Sequence, residues 1–117
     1  MYIDEYREYC LSKPGTSEET PFGPDTLVFK CYGKMFALTG IDSFEYVNLK
    51  CDPERAAELR EQNEGIKPGW HMNKTHWNSV FTDNRVSDKL LKELTDHSYE
   101  LVVKSLPKKV KVENGLI

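Results

Sequence analysis

The sequence predicts an α+β fold, a two-layer sandwich in which helices cover one face of an antiparallel sheet. Three observations carry this. Runs with a period of two, the mark of half-buried strands, occupy residues 26–39 and 45–51. Runs with helical spacing lie before, between and after the strands. The order helix, strands, helix, strands, helix groups the strands, where a parallel α/β fold would alternate each strand with a helix.

The first element reads as a helix over about residues 2–12. Ile3, Tyr6 and Cys10 are spaced i, i+3, i+7, and Asp4 and Glu5 stand in the first turn, where the helix dipole favours acids. Pro14-Gly15 stops it, and the polar "TSEETPFGPD" after it reads as a loop. "TLVFKCYGKMFALT" alternates on both sides of Gly33-Lys34, which suits a type II′ hairpin with Gly at its first turn position. That register sets Cys31 opposite Phe36 and Phe29 opposite Leu38, all on one side.

"EYVNLKC" then puts Val47, Leu49 and Cys51 on a core face and Tyr46, Asn48 and Lys50 on the other. With Lys30 and Tyr32 from the hairpin, the outer face mixes cations, an amide and rings. "CDPERAAELREQ" reads as a helix capped by Asp52, with Pro53 at its first position and Asn63 and Gly65 at its end. The last long helix runs from Ser87 as N-cap to about Lys104. Its Leu90, Leu91, Leu94, Leu101 and Val102 cover the core side of the sheet, and Pro107 ends it.

No repeat or linker divides the 117 residues, so a single domain over 1–117 is expected, with a solvated basic tail from about 105 that carries Lys108, Lys109 and Lys111. No stretch approaches the roughly 18 apolar residues of a membrane span, and "MYIDEYREYC" has no basic or apolar leader region. A cytoplasmic monomer without membrane attachment is the expectation. Cys10, Cys31 and Cys51 are odd in number and widely spaced, the pattern of buried free thiols.

The net charge of −3 argues against a chain that is basic throughout. Charge is nevertheless uneven. Residues 1–60 hold seven Lys/Arg against eleven Asp/Glu, and residues 61–117 hold nine against eight.

The chemically richest stretch is "GWHMNKTHWNSV", residues 69–80. His71 and His76 are five apart, about 140° on a helix and on opposite faces of a straight strand, so neither geometry makes a metal chelate. A tight hairpin about Asn73-Lys74 would pair His71 with His76 and Trp70 with Trp77. There is no nucleophile elbow and no Gly-rich phosphate loop, so no enzymatic activity and no cofactor is expected. His97 reads as a packing residue at a helix edge. Lys74, His76, Trp77, Asn73 and Asn78 together supply phosphate donors, amides and a ring, the composition of a nucleic-acid surface and equally of a well-packed hairpin.

"EYCLSKPGTSEETPFGPDTLVFKCYGKMFAL", "VNLKCDPERAAELRE", "PGWHMNKTHWNSV" and "LTDHSYELVVKSLPKK" resemble successive blocks of the MmcQ/YjbR family of small bacterial proteins, over nearly the whole chain. The resemblance implies a CyaY-like fold, related to frataxin, and DNA binding through paired wings. Carried onto this chain, one wing is His71, Met72, Asn73, Lys74, His76, Trp77 and Asn78, and the second surface is Asn48-Leu49-Lys50. Thr75 departs from the Lys or Arg that relatives often carry there.

The expected function is therefore non-enzymatic DNA binding. Lys50, Lys67 and Lys74 would contact phosphates, and Asn48, His71, Asn73, His76, Trp77 and Asn78 would meet sugars and bases. Arg60 and the C-terminal lysines would extend the patch. Two alternatives stand beside it: an adaptor that captures a protein partner on the outer sheet face, and a frataxin-like metal binder using Asp4, Glu5 and Glu8.

Overall fold

The alternating residues 26–51 form the centre of a six-stranded antiparallel sheet. A computed structural model describes residues 1–117. The strands are β1 (Thr16–Glu19), β2 (Thr26–Cys31), β3 (Lys34–Gly40), β4 (Tyr46–Lys50), β5 (Ile66–Pro68) and β6 (Trp77–Phe81). They lie in the order β1-β2-β3-β4-β6-β5, with every neighbouring pair antiparallel. The helices are α1 (Ile3–Leu11), α2 (Pro53–Gln62), α3 (Asp88–Ser105) and α4 (Lys108–Glu113).

The core lies between the sheet and its helices, as the α+β two-layer reading requires. Leu27, Phe29, Ala37, Val47, Leu49 and Val80 from the sheet meet Tyr6 and Cys10 of α1, Ala56 and Leu59 of α2, and Leu91, Leu94 and Val102 of α3. Aromatic rings link the layers: Tyr6 meets Phe29 edge-on at 5.9 Å, and Phe36 meets Tyr99 at 5.5 Å. Cys10, Cys31 and Cys51 are buried and unpaired. Burial pushes the Cys10 thiol up to about 12 and Cys31 to about 11, so both stay protonated and poorly nucleophilic at neutral pH.

The two central helices end where their cap residues stand. Asp52 accepts bonds from the backbone N–H groups of Glu54 and Arg55, Pro53 occupies the first turn, and Asn63 closes α2. Ser87 caps α3 by accepting from Leu90 N–H at 3.0 Å.

The hairpin corrects the expected register. The turn is Tyr32-Gly33, with φ of 50° and 85°, the type I′ pattern, and not a type II′ turn on Gly33-Lys34. Tyr32 tolerates the left-handed region because its N–H is bonded to Gly15 O at 2.9 Å. It packs against the core cluster and so leaves the outer face to which the alternation assigned it.

Pairing then runs Cys31↔Lys34, Lys30↔Met35 and Phe29↔Ala37, so Phe36 is an extra residue, a β-bulge. Phe36 and Ala37 both become core, and Leu38 pairs with Val28 on the outer face instead of facing Phe29.

The bulge is secured by α3. Ser98, fully buried, donates its hydroxyl to Phe36 O at 2.6 Å and accepts from Lys50 N–H at 2.9 Å, serving two strands from one helix. Next to it, His97 Nε2 accepts from Asp52 N–H at 3.2 Å, tying α3 to the start of α2.

Two segments read as unstructured are ordered. The polar "TSEE" forms edge strand β1, fastened by Arg7–Glu18 and Lys30–Glu19 ion pairs. Charge at an edge discourages further strand addition. The basic tail forms α4 after Pro107, with Leu106 buried at the junction. No helix is long and apolar enough to cross a membrane.

Two measurements test this account. Ser98→Ala removes two buried hydrogen bonds and should lower unfolding free energy by about 2–3 kcal/mol in urea titration. Ser105→Ala, at an exposed site, should stay within about 0.5 kcal/mol.

Burial, and secondarily Arg55, lower the His97 pKa below its ordinary 6.5. The unfolded chain then binds the proton more readily than the folded one. His97's contribution is present in full above pH 6.5 and is lost as pH falls through the lowered value. A stability profile between pH 7.5 and 5 should slope downward toward acid, and His97→Gln should flatten that slope.

Candidate functional site

The outer face of the sheet is read off its register. One row across it is Glu19, Val28, Leu38, Asn48, Ser79 and Lys67. Beside it lie Lys50 with Trp77 on one side and Tyr46 with Phe81 on the other. Residues 69–76, which join β5 to β6, fold back over this surface.

Two side chains anchor that loop. Asn48 donates its amide N–H to Trp70 O at 3.0 Å, and Ser79 accepts from Trp70 N–H at 3.0 Å while donating to Asn48 Oδ1. Both backbone groups of Trp70 are therefore held by the sheet, and the indole lies against Tyr46 with ring centroids 5.7 Å apart. Gly69 sits where the chain leaves β5. A Cβ there would come within 2.8 Å of Trp77 Cβ, so only glycine lets the loop start this close to β6.

The expected tight hairpin about Asn73-Lys74 is thus corrected. Pro68 pairs with Asn78, and Gly69 N–H bonds Trp77 O at 2.8 Å, so Trp70 does not face Trp77 and His71 does not face His76. The cause is in the loop's own side chains. Asn73 Oδ1 accepts from Thr75 N–H at 2.9 Å and His76 N–H at 3.3 Å, which curls the chain locally, and His71 adopts φ of 60°.

The nine residues picked from sequence fall into two groups. Asn48 and Asn78 are each 2 % exposed. Asn48 holds the loop, and Asn78 faces the helical layer, where it donates to Ala56 O and accepts from Arg60. Lys67, His71, Asn73, Lys74 and His76 are exposed, and Lys50 and Trp77 are half-buried.

Lys74 donates to Gly69 O at 3.0 Å and its carbonyl accepts from Arg60 at 3.0 Å, so the guanidinium of Arg60 positions the loop. Lys104 belongs to α3, in the opposite layer from Lys67. Asp4, Glu5 and Glu8 lie on α1, and no group of three His, Cys, Asp or Glu is placed to hold a metal ion.

Charge separates the surface into two halves. Lys50, Lys67 and Lys74 take part in no ion pair, whereas Lys30 is neutralised by Glu19 at 2.7 Å. No acid occurs from Ile66 through Thr82 or from Tyr46 through Cys51. The β4-β6-β5 half of the outer face is consequently cationic within an acidic chain.

Where β3 meets β4 there is a cavity of about 380 Å³ between the sheet and the Trp70 loop. Its presence was invisible in the linear pattern, since Phe22, Met35 with Leu38, and Trp70 come from three separate segments. The exposed rings of Phe22 and Trp70 stand at its rim.

A family model named YjbR matches residues 11–101. The chain is 42% identical over 90 residues to the uncharacterized protein YbdF of Escherichia coli O157:H7, covering 76% of this chain and 74% of that protein. It is 33% identical over 108 residues to the uncharacterized protein YjbR of E. coli K12, covering 92% of each. A crystal structure from Deinococcus radiodurans, described as a DUF419 domain, superposes with a TM-score of 0.90 at 41% identity, over 97% of this chain and 87% of that one. A Pseudomonas syringae structure gives 0.73 at 29% identity, over 86% and 98%. Fold, family model and relatives agree: this chain belongs to the YjbR family.

Proposed function

We propose that this protein is a non-enzymatic DNA-binding module that grips the phosphate backbone with the β4-β6-β5 half of its outer face. The observation that carries this reading is the set of three lysines without an ion pair, Lys50, Lys67 and Lys74, on segments 46–51 and 66–82, which hold no Asp or Glu. In a chain of net charge −3, that concentration of positive potential favours a polyanion on one face only.

Lys67 reaches phosphates from the edge strand β5, Lys74 from the loop after it, and Lys50 from β4 on the far side of β6. His71 and His76 are exposed donors beside them, and the amide of Asn73 keeps both N–H groups free because its oxygen alone serves the turn. Trp77, half-buried next to Lys50, offers part of its ring to a sugar or base. Asn48, Asn78 and Arg60 act through the loop they hold. Phosphate contact of this kind supplies affinity without sequence preference.

Fluorescence anisotropy of a labelled DNA strand at about 50 and 200 mM salt tests the reading. Three phosphate contacts predict a log–log salt slope of about −2 to −3. Lys50→Ala, Lys67→Ala and Lys74→Ala should each weaken binding and together bring the slope toward zero. A folded protein that binds no DNA at 50 mM salt would refute the proposal.

A further inference from the structure

The lysines serve phosphate in the proposed reading, and the cavity that straddles β3 and β4 remains without a role. No Lys, Arg, Asp or Glu lines it, and His71 at its mouth is its single titratable neighbour of the wing. At about 380 Å³ it exceeds what a side-chain packing defect leaves and lies in the range of small-ligand sites. Its walls include Tyr46, Leu38 and the adaptable thioethers of Met35 and Met72.

Asn48 lines the cavity at 2 % exposure with unused capacity. One of its N–H groups serves Trp70 O and one acceptor site serves Ser79, which leaves one donor and one acceptor on the same carboxamide. The two diverge in the plane of the amide, so each can meet one polar atom of a small uncharged ring rather than pair with a whole base edge.

The rim supplies the other half of such recognition. Trp70 is 52% exposed and Phe22 is 68% exposed, an unusual outlay of aromatic surface at one cavity mouth. Both flank a neutral interior, while Lys67 lies across Ser79 from Asn48, Lys74 stands on the loop itself and Lys50 is two residues from Asn48 on β4. A ligand fitted to this surface has a flat uncharged ring at one end and an anion at the other.

We infer that the cavity beneath Trp70 binds a single unstacked nucleobase, so that the protein holds single-stranded nucleic acid with its backbone along Lys67 and Lys74 and one base turned over His71 into the sheet face. The inference rests on the DNA-binding reading for its phosphate contacts, but the base site is separable from them. A base in a duplex is stacked and paired and cannot enter. Single strands are therefore preferred over duplex of the same sequence, and a stacked base is worth about tenfold or more in affinity.

The test uses two variants of the cavity. Trp70→Ala removes the stacking ring yet keeps the tether, which runs through the backbone of residue 70. Leu38→Trp fills the cavity from a half-buried position. Anisotropy with single-stranded and duplex oligonucleotides is paired with titration of adenosine and thymidine, which carry no phosphate, against ¹⁵N-labelled protein by NMR.

A single-strand preference of about tenfold that both variants abolish, with duplex affinity unchanged, supports the inference. So do nucleoside-induced shifts at Trp70, Met72 and Asn48, and these would stand even if the lysine substitutions had no effect on DNA. Equal affinity for both forms, untouched by either variant, overturns the base site and leaves the phosphate reading intact. No shift with nucleosides and no binding of either strand overturns both, and points to an apolar protein partner on Phe22 and Trp70.

Discussion

The arrangement of the outer face depends on one hydrogen-bonded triad, in which Asn48 and Ser79 hold the two backbone groups of Trp70. A loop carrying a tryptophan between two strands could project into solvent, where its peptide groups would bond water. Here the sheet replaces that water. Two adjacent strands contribute one polar side chain each at directly opposed positions, Asn48↔Ser79, and between them they meet both the N–H and the C=O of residue 70. Each such buried bond adds on the order of 1 kcal/mol, and leaving either backbone group unmet under the loop would cost more.

From that anchor the rest of the surface follows. With Trp70 pinned, its ring falls on Tyr46, which Phe81 supports from the other side at 5.5 Å. The chain beyond it must reach β6 from outside, so Asn73 curls it and Arg60 reaches from α2 to hold Lys74 O. The loop then stands over the sheet and carries Lys74, with the uncharged cavity beneath Trp70 and Lys67 beyond Ser79. A wing that swung free would have neither the cavity nor a fixed spacing between charge and ring.

Much of the fold was legible because its signals are local. Asp52-Pro53 and Ser87 announce their helices within four residues, and the apolar spacing of α3 names its buried face. The hairpin was legible as a hairpin and misplaced by one residue, because Gly33 can serve either turn and the choice was made elsewhere: Gly15 O accepts from Tyr32, and Ser98 meets the carbonyl that a bulge at Phe36 leaves over. Both partners are distant in sequence. β1 has no apolar residue to reveal it, since its stability comes from Arg7 and Lys30 pairing with Glu18 and Glu19. In the same way the family blocks picked out residues 69–80, yet composition could not separate the amides that hold the loop from those that face solvent.

Burial turns that ambiguity into a division of labour. Asn48 stands two residues from Tyr46 and Lys50 and Asn78 beside Trp77, each on a strand of alternating pattern, but they point to opposite faces because Leu49 and not Asn48 is the register partner of Asn78. Asn78 is consumed by Ala56 O and Arg60 in the helical layer, and has no route to a ligand. Asn48 is half consumed, on the face where the cavity lies. A sheet that needed only to pack would place an apolar residue there, as it does with Val28 and Leu38 in the same row. An amide at the centre of that row is explained in part by the Trp70 tether, and its remaining donor and acceptor are polar capacity that the tether does not use.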